Sequence, residues 1–395
     1  MASSSTMVRV AIAQLRSTRN KNLNLVNIAK TAGWAKRDGA KMLFLPECLG
    51  FMGDNAEHTL QNADPPMEDQ MMMQTMRWNG VSDDELQINP FRMNPFREIL
   101  AEIIESCSKS DADIKSDDDK YTSEEMNQMP ITSIISELQF IAKQSDMWIS
   151  GGGIHTAVKR EGNGFQEVRF YPNGRGAYFV PQEGESTNDD AYPAEYIYNT
   201  HVIIDNEGNI ANFYHKVHLF DVSIPGKVNL KESKTTLPGK KLVLCPSPIG
   251  KLGLTICYDM RFPEMYVELV HRGGAEVILI PSAFTVPTGV AHWHTLLRAR
   301  AIESQCYVIA AAQVGQHNEK RRSYGHSLCY DPWGKLLVDA GGYDSESGGG
   351  DDGDKLSPVE VPSISICDID LDLVASVRER MPIQEHRSNS KYTFY

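Results

Sequence analysis

The start of the chain has the hydrophobic pattern of a strand, a helix and a second strand, and this order restricts the fold more than any other feature. Apolar residues alternate from Val8 to Ala13, as in a strand, and recur with helical spacing from Asn22 to Arg37. Met42 to Leu45 is a short apolar run typical of a buried strand. A strand–helix–strand unit places ligand sites at the carboxyl ends of its strands, and Glu47 lies at such an end.

The rest of the sequence continues this alternation and predicts a single α/β domain over residues 8–390. The pattern predicts helices at 131–145, 263–271, 290–304 and 371–380. It predicts strands at 147–150, 196–204, 210–214, 252–256, 277–280, 307–312, 327–330, 336–339 and 364–368. Segments near 53–130, 160–195 and 341–361 lack this pattern and are expected to be loop insertions, the first with one helix near 96–106. We also expect a tight turn at Gly151-Gly-Gly and a loop at 216–240.

The net charge of -13 is concentrated in three segments rather than spread over the chain. Acidic residues cluster at 105–125, 160–195 and 341–361, and the remainder is close to neutral. Such acidic stretches are typical of solvated loops. Because the sequence has no basic stripe that could neutralise phosphates, we expect no nucleic-acid partner.

Hydropathy and cysteine usage indicate the compartment. The sequence has no run of about 18 apolar residues, so we expect no membrane span. The first strand begins almost at once, which leaves no room for a signal peptide or a full transit sequence ahead of it. The seven cysteines are scattered and lack CxxC spacing. This usage predicts a reduced, cytoplasmic protein and leaves a mitochondrial pool open.

The segment around Cys257 has the pattern of a nucleophile. A hydrophobic strand ends at Cys257 and turns into a helix near Pro263. Helix N–H groups near the sulfur would favour the thiolate, and the backbone N–H of Tyr258 could donate to an oxyanion. The alternative is a buried cysteine that serves as a small hydrophobic residue.

Three charged residues could assist such a thiol. Lys216 follows a strand amid aromatic and aliphatic residues and could stabilise an oxyanion, or could simply extend its amine to solvent. Glu47 follows a buried strand, where we expect a raised pKa and a role as general base, although a loop or helix-capping acid is the alternative. Glu232 is a weaker candidate by itself.

No motif indicates a metal or a nucleotide. His215 and His218, or His292 and His294, are pairs of possible ligands, but no HExxH or Cys/His quartet completes a site. We therefore expect no metal. A papain-like Cys–His pair stays open, because such partners are distant in sequence.

Three motifs together resemble the signatures of the nitrilase (carbon–nitrogen hydrolase) superfamily. They are Leu45-Pro-Glu47, His215-Lys216-Val-His-Leu and Ile256-Cys257-Tyr-Asp-Met-Arg-Phe-Pro-Glu, in the family's order. The resemblance implies a four-layer α-β-β-α sandwich, often paired through its outer helices into a homodimer or larger homo-oligomer, with no metal or organic cofactor. It also implies that Glu47 is the general base, Lys216 the oxyanion stabiliser and Cys257 the nucleophile, supported by Glu232.

Downstream motifs are similar to one branch of that family. Gly289-Val-Ala-His-Trp-His, Ser323-Tyr-Gly-His-Ser and Pro382-Ile-Gln-Glu-His-Arg resemble the Nit branch, particularly its deaminated glutathione amidases. This resemblance implies a metabolite-repair amidase that releases ammonia or the equivalent amine. The alternatives are an ω-amidase acting on 2-oxoglutaramate, another small-amide hydrolase, or a non-enzymatic interaction scaffold. The candidates for the substrate pocket are Arg261, Glu264, Ser282, Phe284 and His292.

Overall fold

Two large β-sheets and nine α-helices make up most of the described part of the chain. The computed structural model describes residues 7–78, 93–109, 129, 131, 133–158, 160–161, 164–165, 167–170, 177–180, 196–224, 228–343 and 361–389. The helices are α1 (Lys21–Arg37), α2 (Ala56–Gln61), α3 (Met67–Trp78), α4 (Pro95–Cys107), α5 (Ile134–Ser145), α6 (Pro263–Val267), α7 (Val286–Ser304), α8 (Leu371–Arg380) and α9 (Ile383–Asn389). Short 3-10 helices span Glu232–Lys234 and Cys257–Arg261, and a π-helical turn, Glu268–Arg272, extends α6.

The strands follow the helices in the predicted alternation. They are β1 (Val8–Leu15), β2 (Met42–Phe44), β3 (Trp148–Ala157), β4 (Arg160–Glu161), β5 (Gly164–Phe165), β6 (Glu167–Phe170), β7 (Ala177–Val180), β8 (Ile197–Ile204), β9 (Ile210–His215), β10 (Asp221–Ile224), β11 (Val228–Lys231), β12 (Val243–Ser247), β13 (Gly250–Leu254), β14 (Val277–Leu279), β15 (Tyr307–Ala310), β16 (Ala312–Gln316), β17 (Arg322–Tyr324), β18 (Leu328–Tyr330), β19 (Leu336–Asp339) and β20 (Ser363–Ile369).

Each large sheet has a parallel centre. The first has the order β17-β16-β1-β2-β3-β8-β9, and β20 also pairs with β1. In it β1, β2 and β3 run parallel. The second has the order β12-β13-β14-β15-β18-β19, with β13, β14 and β15 parallel. The carboxyl ends of β2 and β13, which precede Glu47 and Cys257, are therefore free to carry site residues.

The layers can be read from side chains that alternate along β1. Val10 and Ile12 pack with the second sheet, whereas Ala11 and Ala13 pack with α1, α4 and α5. The helices α6 and α7 cover the outer face of the second sheet through residues such as Leu269 and Trp293. This arrangement is an α-β-β-α sandwich, so the predicted four-layer fold is confirmed.

Some local predictions were wrong. The segment 53–130 contains α2 and α3 as well as the predicted helix, now α4, and residues 216–240 contain the hairpin β10–β11. Gly151 to Gly153 forms no turn but continues β3. Much of 160–195 and 344–360 lies outside the described residues, so insertions there stay predictions.

Two further expectations, on membrane spans and on disulfides, can be compared with the described residues. No described helix is both long and apolar enough to cross a membrane. None of the seven cysteines forms a disulfide, and all seven are buried.

A buried ion pair fastens α4 to α5 in the outer helical layer. The Arg97 guanidinium donates two hydrogen bonds of 2.8 Å to the Glu137 carboxylate, and both side chains are nearly inaccessible to solvent. Two-pronged geometry of this kind is the strongest form of an arginine–carboxylate contact. The pair holds helix α4 against helix α5.

We expect Arg97→Met to lower the free energy of unfolding by about 3–5 kcal/mol, because Glu137 would keep a buried charge without its cation. The double variant Arg97→Met/Glu137→Leu should recover most of that loss, since neither charge remains. Chemical denaturation followed by circular dichroism measures both. A double variant as unstable as the single one would contradict this account.

Candidate active site

Glu47, Lys216 and Cys257 meet between the two large sheets. Glu47 follows β2 and Lys216 follows β9 of the first sheet, whereas Cys257 follows β13 of the second. The Lys216 Nζ lies 3.2 Å from Glu47 Oε1, and both charges act on the neighbouring Cys257 thiol. All three residues are at most 9% exposed. The three residues predicted from separate motifs therefore form one buried cluster.

Two carboxylates hold the Lys216 ammonium. Its Nζ donates to Glu232 Oε1 at 3.2 Å and Oε2 at 3.0 Å, in addition to Glu47. Burial alone would lower the pKa of Lys216, but the negative charges of Glu232 and Glu47 outweigh it and raise this pKa well above its ordinary value. The Phe220 N–H fixes Glu232 with a hydrogen bond of 2.7 Å. Lys216 is thus a permanent cation.

Glu47 is ionised, contrary to the prediction of a raised pKa. Burial does oppose its charge, but Lys216, Arg321, the Asn199 amide and the Ala283 N–H together lower its pKa to about 2. Asn199 Nδ2 donates to Oε1 at 2.9 Å and the Ala283 N–H to Oε2 at 2.9 Å. Each oxygen of the carboxylate therefore accepts at least one hydrogen bond. The carboxylate can take up a proton only when one of these donors moves away.

Cys257 occupies a strained backbone position at the start of its turn. Its φ of 45° lies in the left-handed region, and its N–H donates to the Pro281 carbonyl at 3.0 Å. Burial and the Glu47 charge raise the pKa of the thiol well above its ordinary value, against the effects of Lys216 and the Ala283 N–H. The expectation that the turn favours a thiolate is wrong for the resting site, which holds a thiol.

The backbone beyond Cys257 supplies a further donor. Tyr258 lies in the first turn of the 3-10 helix, where peptide N–H groups have no acceptor within the helix. The turn is held by the buried carboxylate of Asp259, which accepts from the Ile256 N–H at 2.9 Å and the Tyr214 hydroxyl at 2.8 Å. Asp259 also accepts from the His218 N–H at 3.0 Å. It therefore connects the Lys216 loop to the Cys257 turn.

The pocket candidates fall into two groups. Arg261 contacts His292 at 3.2 Å and lies over the rings of Tyr258, at 5.8 Å, and Phe284, at 5.6 Å. These four residues form an aromatic and cationic wall beside Cys257.

The other two candidates lie elsewhere. Ser282 is fully buried and its hydroxyl donates to the Ile280 carbonyl, so it supports the backbone that leads to Ala283. Glu264 is exposed in the first turn of α6. Neither is part of the wall formed by Arg261 and its neighbours.

Asn199 and the glycines of β3 were missed by the sequence analysis. A Cβ at Gly153 would lie 2.3 Å from Asn199 Oδ1 and 2.8 Å from Glu47 Cγ, and one at Gly152 would lie 2.5 Å from the Leu45 carbonyl oxygen. The glycines thus give room to the Glu47 segment. A glycine run beside a strand-end acid was the available signal, but it was interpreted as a turn.

The histidines named in the sequence analysis have other partners. His218 Nδ1 lies 2.8 Å from Asp259, and His215 Nδ1 lies 2.9 Å from the Thr200 hydroxyl. His294 joins His326 and Asp339 in a cluster whose nitrogen and oxygen atoms lie within 4.8 Å of one another. His326 already bonds to Asp339 at 3.0 Å, which makes this a self-satisfied polar cluster.

Comparison with known proteins identifies the family. The carbon–nitrogen hydrolase family model matches residues 118–379. The deaminated glutathione amidase of Dictyostelium discoideum is 44% identical over 66% of this chain and 72% of its own length. The protein of that name from Bos taurus is 33% identical over 97% of this chain and 83% of its own length.

Solved structures have the same fold. The crystal structure of the C. elegans NitFhit protein matches with a TM-score of 0.63 at 30% identity, over 99% of this chain and 67% of that chain. Nit3 of Saccharomyces cerevisiae, a member of branch 10 of the nitrilase superfamily, matches with a TM-score of 0.58 at 23% identity, over 96% of each chain. The chain belongs to the carbon–nitrogen hydrolase family. Within that family it is an amidase, a hydrolase of amide carbon–nitrogen bonds.

We expect Glu47→Gln to lower the pKa of Cys257, because it removes a negative charge that opposes ionisation of the thiol. The rate at which iodoacetamide alkylates Cys257, followed by mass spectrometry across neutral and alkaline pH, reports this pKa. Glu264→Gln is the matched control, since Glu264 is exposed and outside the cluster. An unchanged or raised alkylation pKa in Glu47→Gln would contradict the geometry.

We expect Gly153→Ala to reduce amide hydrolysis about 100-fold, because its Cβ would displace Glu47 and Asn199. Gly151→Ala is the matched control on the same strand, since the nearest atoms to its Cβ would be side-chain methyl groups of Leu138 and Val202, away from Glu47. Steady-state kinetics and melting temperatures are measured for both. Equal losses of kcat at equal stability would refute a specific effect on the site.

Proposed function

We propose that this protein hydrolyses the amide of deaminated glutathione, with Cys257 as nucleophile, Glu47 as general acid and base, and Lys216 as oxyanion stabiliser. The observation that carries the proposal is the buried contact of a thiol, a carboxylate and an ammonium, with Glu232 as a second partner of the ammonium. The substrate is taken from the two relatives named above. Hydrolysis would return a damaged metabolite to two usable products, which is a repair reaction.

Acylation begins from a thiol, a carboxylate and an ammonium. The Cys257 Sγ attacks the amide carbon as its proton passes to Glu47, and the carbonyl oxygen becomes an oxyanion. The Lys216 Nζ and the Tyr258 N–H stabilise this oxyanion. Glu47 then gives the proton to the amine nitrogen, the carbon–nitrogen bond breaks, and cysteinylglycine leaves the thioester.

Deacylation uses the same groups in reverse. A water molecule gives a proton to Glu47 and attacks the thioester carbon, and Lys216 again stabilises the oxyanion. The carbon–sulfur bond then breaks, and the departing sulfur of Cys257 takes the proton back from Glu47. The products are 2-oxoglutarate and the resting site, so each proton and each bond is accounted for.

The wall beside Cys257 suits the acyl half of this substrate. That half is a 2-oxo acid with a free carboxylate, for which arginine is the preferred partner. Arg261 faces this side of the site with its planar group against Tyr258 and Phe284, and His292 restricts its orientation. We therefore assign Arg261 and His292 to the 2-oxo acid end of the substrate.

We further propose a cytoplasmic homo-oligomer. Seven cysteines without a disulfide fit a reducing compartment. The outer helix α7 exposes the apolar residues Val290, at 41%, and Ile302, at 40%, which is a surface that a second copy could cover.

One assay compares the candidate functions. Deaminated glutathione and 2-oxoglutaramate both yield 2-oxoglutarate, so the same product is measured for each, beside ammonia release from a simple nitrile. We expect the highest kcat/KM for deaminated glutathione. A preference for 2-oxoglutaramate would make the protein an ω-amidase, a preference for the nitrile would refute an amide substrate, and no turnover would favour a scaffold.

Cys257→Ala should abolish 2-oxoglutarate formation at unchanged melting temperature, because no thioester can form. Cys245→Ala is the matched control, since Cys245 lies on β12 away from the cluster. Glu47→Gln should be far more damaging than His292→Ala. The reverse order would favour a Cys–His hydrolase, and full activity of Cys257→Ala would exclude the thiol mechanism.

A further inference from the structure

Arg321 is an exposed cation at the site that the proposed mechanism does not use. It lies in the turn between β16 and β17, and its N–H donates to Asn318 Oδ1 at 3.0 Å while its carbonyl accepts from the His317 N–H at 2.9 Å. Within the described ranges its guanidinium has no hydrogen bond and no ion pair. Its backbone is therefore fixed, and its charge is available.

The turn that carries Arg321 is attached to the segments that hold Glu47. The His317 ring contacts the Ser17 carbonyl at 2.8 Å, and the Ser17 hydroxyl donates to the Leu49 carbonyl at 3.0 Å. Gln313, on β16, donates to the backbone carbonyl of Glu47 at 3.0 Å. These contacts place the turn over the strand end from which Glu47 emerges.

The opposite side of the same turn contacts the segment around Ala283. The Tyr324 N–H donates to the Phe284 carbonyl at 2.8 Å, and the neighbouring Ala283 N–H donates to Glu47. Both backbone segments that fix the Glu47 carboxylate are thus bonded to the hairpin of Arg321. The position of its Cα relative to the site is set by the main chain.

The charge of Arg321 acts on three residues around Glu47. It lowers the pKa of Glu47. It also lowers the pKa of Cys48, against the raising effect of burial, and the pKa of His155, in the same direction as burial. Cys48 and His155 line a small depression, open to solvent, that also includes Gly153 and Asn62. The Arg321 charge thus acts on Glu47 and on two residues of this depression, whereas Arg261 lies with the aromatic wall beside Cys257.

Polar groups line this depression. Burial lowers the pKa of His155 to about 4, so its imidazole is neutral at physiological pH and can both donate and accept. Asn62 adds an amide, and Phe51 an apolar ring. The Asp64 carboxylate also lines this depression, but the Ser133 hydroxyl and two backbone N–H groups already bind it. Arg321 is therefore the exposed cation that a peptide carboxylate would meet here.

We propose that Arg321 binds the C-terminal carboxylate of the substrate's amine half, and so selects amides with a peptide leaving group over those that release ammonia. The inference rests on the proposed function. The chain has a net charge of -13, so an anionic substrate needs a local cation to approach. The acyl halves of deaminated glutathione and 2-oxoglutaramate are identical, and only the leaving group carries the carboxylate that Arg321 binds.

Arg321→Gln should lower kcat/KM for deaminated glutathione about 10- to 100-fold, the effect of losing a hydrogen bond between charged groups. It should leave 2-oxoglutaramate turnover unchanged, because that substrate has no peptide tail. Arg321→Lys should restore part of the loss, since a point charge remains. The loss should be in KM and in the rate of acylation, because the thioester is the same for both substrates.

A third substrate makes the test independent of 2-oxoglutaramate. Deaminated glutathione with its C-terminal carboxyl converted to an amide should be a poorer substrate of the wild type and insensitive to Arg321→Gln. Arg322→Gln is the matched control, because Arg322 is also exposed but lies within β17 opposite Gln316.

The outcomes separate this inference from the proposed function. If the wild type fails to hydrolyse deaminated glutathione, the proposed function and the inference both fall. If the wild type does so, but Arg321→Gln has no effect or affects the tailed, amidated and tail-less substrates equally, only the assignment of Arg321 is wrong. If Arg322→Gln lowers kcat/KM as much as Arg321→Gln does, the effect comes from the general surface charge and the assignment of Arg321 is wrong.

Discussion

The Lys216 ammonium, buried between Glu47 and Glu232, is the interaction on which the site depends. A buried cation is tolerated only if its hydrogen bonds are satisfied, and here two carboxylates satisfy them while Asn199 bonds to both. The same pairing keeps Glu47 ionised and leaves the proton on Cys257. An oxyanion offers Lys216 another acceptor, which weakens its bond to Glu47 at the step in which that carboxylate must hold a proton.

Much of this site could be predicted from the sequence because each reacting residue ends a strand. Strand ends are visible as short apolar runs, so Glu47 and Cys257 were found as side chains leaving the core, and Lys216 as a charge in an apolar stretch. Pattern alone left each one with a structural alternative. The motif order identified them as a set, and the fold then brought them together.

The supporting residues could not be predicted in the same way, since their roles depend on contacts distant in sequence. Asn199 lies 152 residues from the Glu47 carboxylate that it binds, and Asp259 lies 45 residues from Tyr214. The glycines of β3 look like turn formers until a neighbouring strand is seen to pass where a Cβ would be. Residues 57–61 of α2 are all half-buried or exposed, so this helix has no apolar stripe that the sequence pattern could reveal.

The site crosses the interface between the two sheets, and this has a mechanical consequence. Glu47 and Lys216 follow strands of the first sheet and Cys257 follows a strand of the second, and the apolar layer around residues such as Ile12 and Leu254 lies between the two sheets. A slip of that layer by one ångström would separate sulfur from carboxylate and leave every strand intact. The catalytic rate should therefore respond to a shift between the two sheets that leaves the secondary structure unchanged. On heating, turnover should be lost at a lower temperature than the strands unfold.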